Sequence, residues 1–270
     1  MGTAVEPVTE TLATGWESAI ASDDSILLAA VRNLANRVER HGEAMGFRVC
    51  GWDDFIACDS AMANPFCNFC VLTAPPPDWD DTVHRIRTFY AARGGMPYVV
   101  MSPFPTPDLR ARGLTLCGHP PFMYRPAGGE APPPRGGLDV VAVRDDADHA
   151  DFWRACAAFY PMHGVAPETI ATYSDARVDA FGWRLWLGRS GAEVVATAAS
   201  WVDEGVNQVE MVSTAPASRG QGVGAALTWA ATTADPDLPA VLIASDLGRG
   251  VYERLGYVAL SRWTLWFGGM

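Results

Sequence analysis

The stretch VEMVSTAPASRGQGVGAAL, Val209 to Leu227, decides how this chain reads. It begins as an alternating apolar segment, passes through Pro216, and carries Arg219, Gly220, Gly222 and Gly224 ahead of an alanine-rich run. A strand, a glycine-rich bend and a helix start leave several unpaired backbone N–H groups converging at the positive end of a helix dipole. Glycine lets a bulky anion approach that backbone, and Arg219 adds a permanent cation, so phosphate or pyrophosphate is the natural guest. A tight turn that merely opens a helix is the plainer alternative. Gly220, Gly222 and Ala225 also satisfy G-x-G-x-x-A, a dinucleotide-binding fingerprint. That motif needs a strand running straight into its first glycine inside a series of βαβ units. Here Pro216 to Arg219 intervenes, and only 45 residues follow Ala225. Asp246, after the next strand, keeps the dinucleotide alternative open as its ribose-binding acid.

Outward from the loop, the second half parses cleanly. Residues 138–145 alternate as a strand, and 147–160 form a helix with Phe152, Cys156 and Phe159 on one face and Asp145 or Asp146 as cap. Residues 183–190 and 193–202 flank a glycine turn as a hairpin, and 206–214 form the strand before the loop. A helix over 225–234, a strand over 240–245, a short helix over 250–255 and a strand over 257–267 complete an order β-α-α-β-β-β-α-β-α-β. This is a mixed α/β pattern with a largely antiparallel sheet flanked by helices. PAGGEAPPPRGG, 126–137, is dense in Pro and Gly and reads as an extended linker.

The first half follows the second in register. LRARGLTLCGHPPFMY (109–124) parallels YERLGYVALSRWTLWF (252–267), with Gly113 and Gly256 offset by 143. At that offset Cys67–Ala74 falls on Glu210–Ala217 and Tyr98–Ser102 on Val241–Ser245, while the helix expected over 82–93 falls on the helix after the glycine loop. A duplicated fold follows. The repeat fails at the loop, where the first half carries PPPDWDD (75–81). Prolines remove donors, and Asp78, Asp80 and Asp81 repel an anion.

The strand, Pro216, Arg219, Gly222 and Gly224 resemble the signature of the GNAT superfamily of acyl-CoA-dependent N-acetyltransferases. VYERLGYV (251–258) resembles the family's second signature, a tyrosine opening a short helix that ends in Gly-aromatic. The two motifs stand in the expected order over about 130 residues, the second half. The resemblance implies tandem GNAT-like domains: a degenerate copy without the CoA loop in residues 1–125, the linker 126–137, and an acetyl-CoA-binding domain in 138–270. It further implies that Gln221, Gly222, Val223 and Gly224 offer amides to the CoA pyrophosphate, with Gly220 in the same loop and Arg219 alongside. Val212 and Thr214 would pair by main chain with the pantetheine arm, and Tyr252 would protonate the departing thiolate. Ser245 stands near the CoA arm where many members have Asn.

Beyond the cosubstrate, an amine must lose its proton to attack, so a base is needed. Glu210, on the same alternating face as Val212 and Thr214, is the candidate; a carboxylate on the strand surface is its alternative. Asp203 and Glu204 lie in the preceding turn, and His163 in a loop after the first helix. Trp183, Trp186, Trp263 and Trp266 are explained by core packing, with one or two of them available to wall an acceptor pocket. In the helix over 25–44, Leu27, Val31, Leu34 and Val38 form a packing stripe.

A net charge of −11 repels nucleic-acid phosphates and anionic membranes. A small-molecule amine is the expected partner, with neither nucleic acid nor membrane. No apolar stretch approaches the length of a membrane span, and MGTAVEPVTE lacks the basic start and apolar core of a secretory signal. The six scattered cysteines fit reduced thiols in a cytoplasmic protein; Cys67 and Cys70 make one C-x-x-C without a second pair, so no metal site is expected. The expected function is acetyl transfer from acetyl-CoA, by direct attack, to a primary amine of a small molecule or to an N-terminal amino group. A non-catalytic acyl-CoA-binding module and a nicotinamide-dependent enzyme remain the alternatives.

Overall fold

The computed structural model describes residues 25–133, 136–159 and 182–270. His163 and the second helix expected ahead of residue 183 lie outside them. The first half contributes helix α1 (Ile26–Ala44), strands β1 (Arg48–Gly51), β2 (Phe55–Asp59) and β3 (Phe69–Leu72), helix α2 (Trp79–Ala91), and strands β4 (Tyr98–Ser102), β5 (Thr115–Gly118) and β6 (Pro121–Arg125). The second half contributes β7 (Asp139–Ala142), α3 (Asp146–Phe159), β8 (Trp183–Ser190), β9 (Glu193–Asp203), β10 (Val206–Thr214), α4 (Val223–Thr232), β11 (Ala240–Ile243), α5 (Asp246–Arg254), β12 (Val258–Arg262) and β13 (Thr264–Gly268).

Two mainly antiparallel sheets result. Their orders are β1-β2-β3-β4-β13-β5 and β12-β6-β11-β10-β9-β8-β7. With β7 set aside, the orders correspond position by position, and each contains one parallel pair, β3 with β4 and β10 with β11. The expected duplication is therefore present in three dimensions, with one addition that the sequence did not announce. The equivalent strands β6 and β13 have changed places, so each sheet takes one strand from the other half of the chain. The single strand expected over 257–267 is corrected accordingly. It breaks at Trp263, and its two parts, β12 and β13, join different sheets. The stretch 109–124 divides the same way between β5 and β6. Trp263 is buried at the crossing, tilted against Phe122 with ring centroids 5.9 Å apart.

Helix α1 starts where Ser25 accepts from the backbone N–H of Leu28 at 3.1 Å. Its stripe of Ala30, Val31, Leu34 and Val38 packs into one cluster with Ile56, Val71 and Val99 of the first sheet and Phe122, Val206 and Val241 of the second. It thus bridges the halves. Helix α2 covers the other face of the first sheet through Val83, Ile86 and Phe89. Helix α4 packs through Val223, Leu227 and Ala231 on Val195, Ala198 and Val209, and α3 packs through Phe152 and Cys156 on Leu185, Leu187 and Trp201. Asp145 caps α3, accepting from the N–H of Asp148 at 2.8 Å. Cys58, Cys67, Cys70 and Cys156 are buried. Among the described residues no helix is long and apolar enough to cross a membrane, and no cluster of His, Cys, Asp and Glu could hold a metal ion.

Candidate functional site

Strand β10 runs into a 3₁₀ turn at Pro216–Ser218, then into Gly220 at φ 70° and Gly222 at φ 80°. Gly222 is the N-cap of α4, which starts at Val223, slightly ahead of the expected 225. No side chain caps this helix, so no side chain takes up the amides of its first turn. A Cβ added at Gly220 or Gly222 would meet nothing within 4 Å. Backbone conformation, not crowding, requires glycine there, and the space over the loop is open. At Gly224 a Cβ would come within 3.2 Å of Thr214 Oγ1. Arg219 is anchored by its Nε, which donates to the Thr214 carbonyl at 3.1 Å, and Gln221 Nε2 donates to Ala217 O at 2.8 Å.

The corresponding helix of the first half is closed. Asp78 is the N-cap of α2, and its carboxylate accepts from the amides of Asp80 and Asp81 at 2.8 and 3.3 Å. An anion there would find its donors taken and three carboxylates around it.

Beside the loop the second sheet opens. Strands β10 and β11 pair only through Asn207 with Ala240 and Gln208 with Val241, and then separate. Across its other edge, β10 carries a bulge between Glu210 and Ser213, with Met211 at φ 53°. Thr197 pins it: Oγ1 donates to the Met211 carbonyl at 2.9 Å and lies 2.6 Å from Ser213 Oγ. Val212 falls in the bulge and Thr214 just past it, both half-buried.

Two residues that the resemblance implied sit differently from expectation. The short helix begins at Asp246 rather than 250, so Tyr252 lies in its last turn, not at its start. Ser245 is the N-cap, its Oγ accepting from Gly248 N at 3.1 Å. Tyr252 packs with Val212 on the cluster under α4, its ring edge-on to Tyr257 at 6.1 Å. Burial pushes its phenol up to about 12. Its hydroxyl makes no hydrogen bond among the described residues, whereas Tyr257 OH lies 2.6 Å from Thr232 Oγ1. Asp246, the acid of the dinucleotide alternative, pairs with Arg262 at 3.0 Å. The sheet, with one parallel pair, is also not the serial βαβ sheet which that alternative needs.

Glu210 stands immediately before the bulge and meets a partner that the sequence did not supply. Arg37 of α1 places its Nε 3.1 Å from Glu210 Oε1. Burial lifts the Glu210 carboxyl above its ordinary range, and the Arg37 charge partly opposes the shift. Asp203 and Glu204, in the turn before β10, are engaged by the same helix: Asn36 Nδ2 donates to both carboxylates at 3.1 Å, and Arg40 lies 3.5 Å from Asp203. Asn33, Arg37 and Arg40 recur at helical spacing along α1, and that polar stripe was the available signal for this contact. Trp183, Trp263 and Trp266 are core residues, and Trp186 is half-buried.

No protein-family model matches this sequence, and no curated protein matches it by sequence. Solved structures do match. A GCN5-related N-acetyltransferase from Kribbella flavida is 19% identical, with a TM-score of 0.63 over 87% of this chain and 95% of that one. A conserved protein of unknown function from Staphylococcus epidermidis is 14% identical, with a TM-score of 0.63 over 83% and 95%. A GCN5-related N-acetyltransferase from Sphaerobacter thermophilus is 12% identical, with a TM-score of 0.55 over 89% and 92%. These likenesses span both halves and show that the chain has the GNAT fold.

Proposed function

We propose that this protein is an acetyl-CoA-dependent N-acetyltransferase with one cosubstrate site per chain, in the second half. One observation carries the reading: the N-terminus of α4 is uncapped beneath an open glycine loop, whereas Asp78 closes its counterpart on α2. The amides of Gln221, Gly222, Val223 and Gly224 would receive the pyrophosphate, with Arg219 beside them. Main-chain groups of Val212 and Thr214, next to the separated strands, would hold the pantetheine arm. Bound acetyl-CoA supplies an activated acyl carbon and a thiol leaving group. Glu210, its proton affinity raised by burial, takes the proton of the attacking amine. Tyr252, protonated at neutral pH, offers its hydroxyl to the leaving sulfur. The names of the Kribbella and Sphaerobacter proteins agree with this activity. We place the protein in the cytoplasm, where cysteine thiols stay reduced.

Calorimetry with CoA and acetyl-CoA, followed by thiol release with a panel of amines, tests the proposal. Failure to bind CoA overturns it. Tight CoA binding with no thiol release for any amine assigns the chain to non-catalytic acyl-CoA binding.

A further inference from the structure

Arg37 is 4% exposed, yet its Nε is buried without a hydrogen-bond partner among the described residues. The Glu210 contact is an ion pair by distance, but its geometry is not that of a hydrogen bond. Two aromatic rings hold the group instead, Phe69 with its centroid 5.2 Å from Cζ and Trp183 at 5.5 Å. Trp183 adds a second orphan, since its Nε1 is buried without an acceptor among the described residues. One buried and one half-buried arginine elsewhere, Arg125 and Arg85, are satisfied. Arg125, 8% exposed, donates to the carbonyls of Leu255 and Pro126 at 2.7 and 2.9 Å. Arg85 forks onto Asp54 at 2.9 and 2.8 Å.

A desolvated cation with an unpaired donor is costly to keep in a folded protein, and a planar two-oxygen anion is the partner that a guanidinium fork fits. The buried carboxylate beside it offers the opposite chemistry, accepting N–H groups. With 3.1 Å between Arg37 Nε and Glu210 Oε1, a ligand that answers both must carry its anion and its amine only a few bonds apart. We propose that the acceptor is a free α-amino acid, its carboxylate on Arg37 and its amine on Glu210. This rests on the acetyltransferase reading and narrows it. A peptide N-terminus presents an amide where the carboxylate is needed, and a simple amine presents nothing. A zwitterion also carries no net charge against a surface of net charge −11. The first half then has a role, because α1 delivers Arg37 to a site in the second.

Matched ligands test this: α-amino acids, their carboxamides and their decarboxylated amines, titrated into wild type and Arg37→Lys with and without CoA. Wild type should prefer the free acids by at least about 100-fold, the order expected when a site's paired group is removed from its ligand. Arg37→Lys keeps the charge but loses the fork, and should weaken the acids by about tenfold or more while leaving carboxamides and CoA affinity unchanged. Equal binding of acids and decarboxylated amines to wild type overturns the inference, as does the absence of amino-acid binding whatever CoA does. That wild-type comparison stands even if the variant fails to fold. Arg37-dependent amino-acid binding in a protein that ignores CoA would sink the acetyltransferase reading, and the acceptor role with it, leaving only an amino-acid-binding site.

Discussion

Trp263 donates its backbone N–H to the carbonyl of Pro120 at 3.0 Å, and the two residues are counterparts, 143 positions apart, at the points where the halves exchange strands. The reciprocal bond cannot form, because proline has no N–H. The contact sits where β5 gives way to β6 and β12 to β13. The first sheet is incomplete until β13 has inserted between β4 and β5, and the second until β6 has inserted between β11 and β12. The halves are therefore expected to unfold as one cooperative unit.

Trp266 tests that coupling. It lies on β13, buried in the core of the first half with Phe55, Leu72, Ile86 and Tyr98, and its Nε1 donates to Thr106 Oγ1 at 3.1 Å. Trp266→Ala should cost about 3–5 kcal/mol, the usual range for emptying a buried aromatic site. Amide hydrogen exchange should accelerate in β2, β3 and β4, remote in sequence from the substitution. Acceleration confined to residues near 266 would show that β13 is dispensable to the first sheet.

Gly222→Asp addresses the loop. Asp tolerates positive φ better than most residues, and its carboxylate would set a negative charge beside the first amides of α4. The fold should survive, at a cost of about 1 kcal/mol for a side chain held at positive φ. CoA affinity should fall by at least about 100-fold, or roughly 2.7 kcal/mol, because a like charge is added at the pyrophosphate site. Wild-type affinity in this variant would remove the phosphate argument. For the unaltered protein, calorimetry should find one CoA per chain; two equivalent sites would contradict the closed N-terminus of α2.

Ser245 separates a structural from a binding role. The resemblance places it near the CoA arm, but its hydroxyl already accepts from Gly248 N. Ser245→Ala should lose about 1 kcal/mol of stability as a missing N-cap, and Ser245→Asn should restore it, since Asn caps equally well. CoA affinity should stay within about threefold for both, a difference under 1 kcal/mol. A tenfold loss in the Ala variant at unchanged Tm would return the hydroxyl to the cosubstrate.

The glycine loop and the repeat were legible because both are local. Gly220 and Gly222 announce positive φ by residue type, and Gly113 and Gly256 fix the offset without gaps. The exchange of β6 and β13 was not legible. Aromatic alternation runs unbroken through Trp263, and sheet membership is decided by pairing partners far away in sequence. The bulge left no trace either, since methionine at positive φ is not a residue-type signal and Thr197, which pins Met211, is remote. The start of α5 was obscured by Gly248 and Gly250, although Ser245 followed by Asp246 carried a cap signature. The stripe of Asn33, Arg37 and Arg40 reads as a solvated helix face until a second sheet covers it.

Tyr252→Phe bears most directly on chemistry. The phenol is pushed up to about 12 by burial and so stays protonated throughout the neutral and mildly alkaline range. That same shift makes it a poor acid toward a thiolate, whose ordinary pKa lies near 8.5. Complete proton transfer is uphill, and what the hydroxyl provides is a hydrogen bond that strengthens as negative charge grows on sulfur. The Phe variant keeps the ring against Tyr257 and Gly248, so Tm and CoA affinity should hold. Turnover should fall by about 100-fold, the lower end of what a positioned acid contributes. In wild type, kcat should show no alkaline decline from this group below about pH 10, because the donor does not ionise there. A decline near pH 9 that the Phe substitution abolishes would mean that the phenol titrates far below the value its burial dictates. A kcat within about threefold of wild type for Tyr252→Phe, with chemistry shown to be rate-limiting, would reduce Tyr252 to a packing residue along the CoA arm.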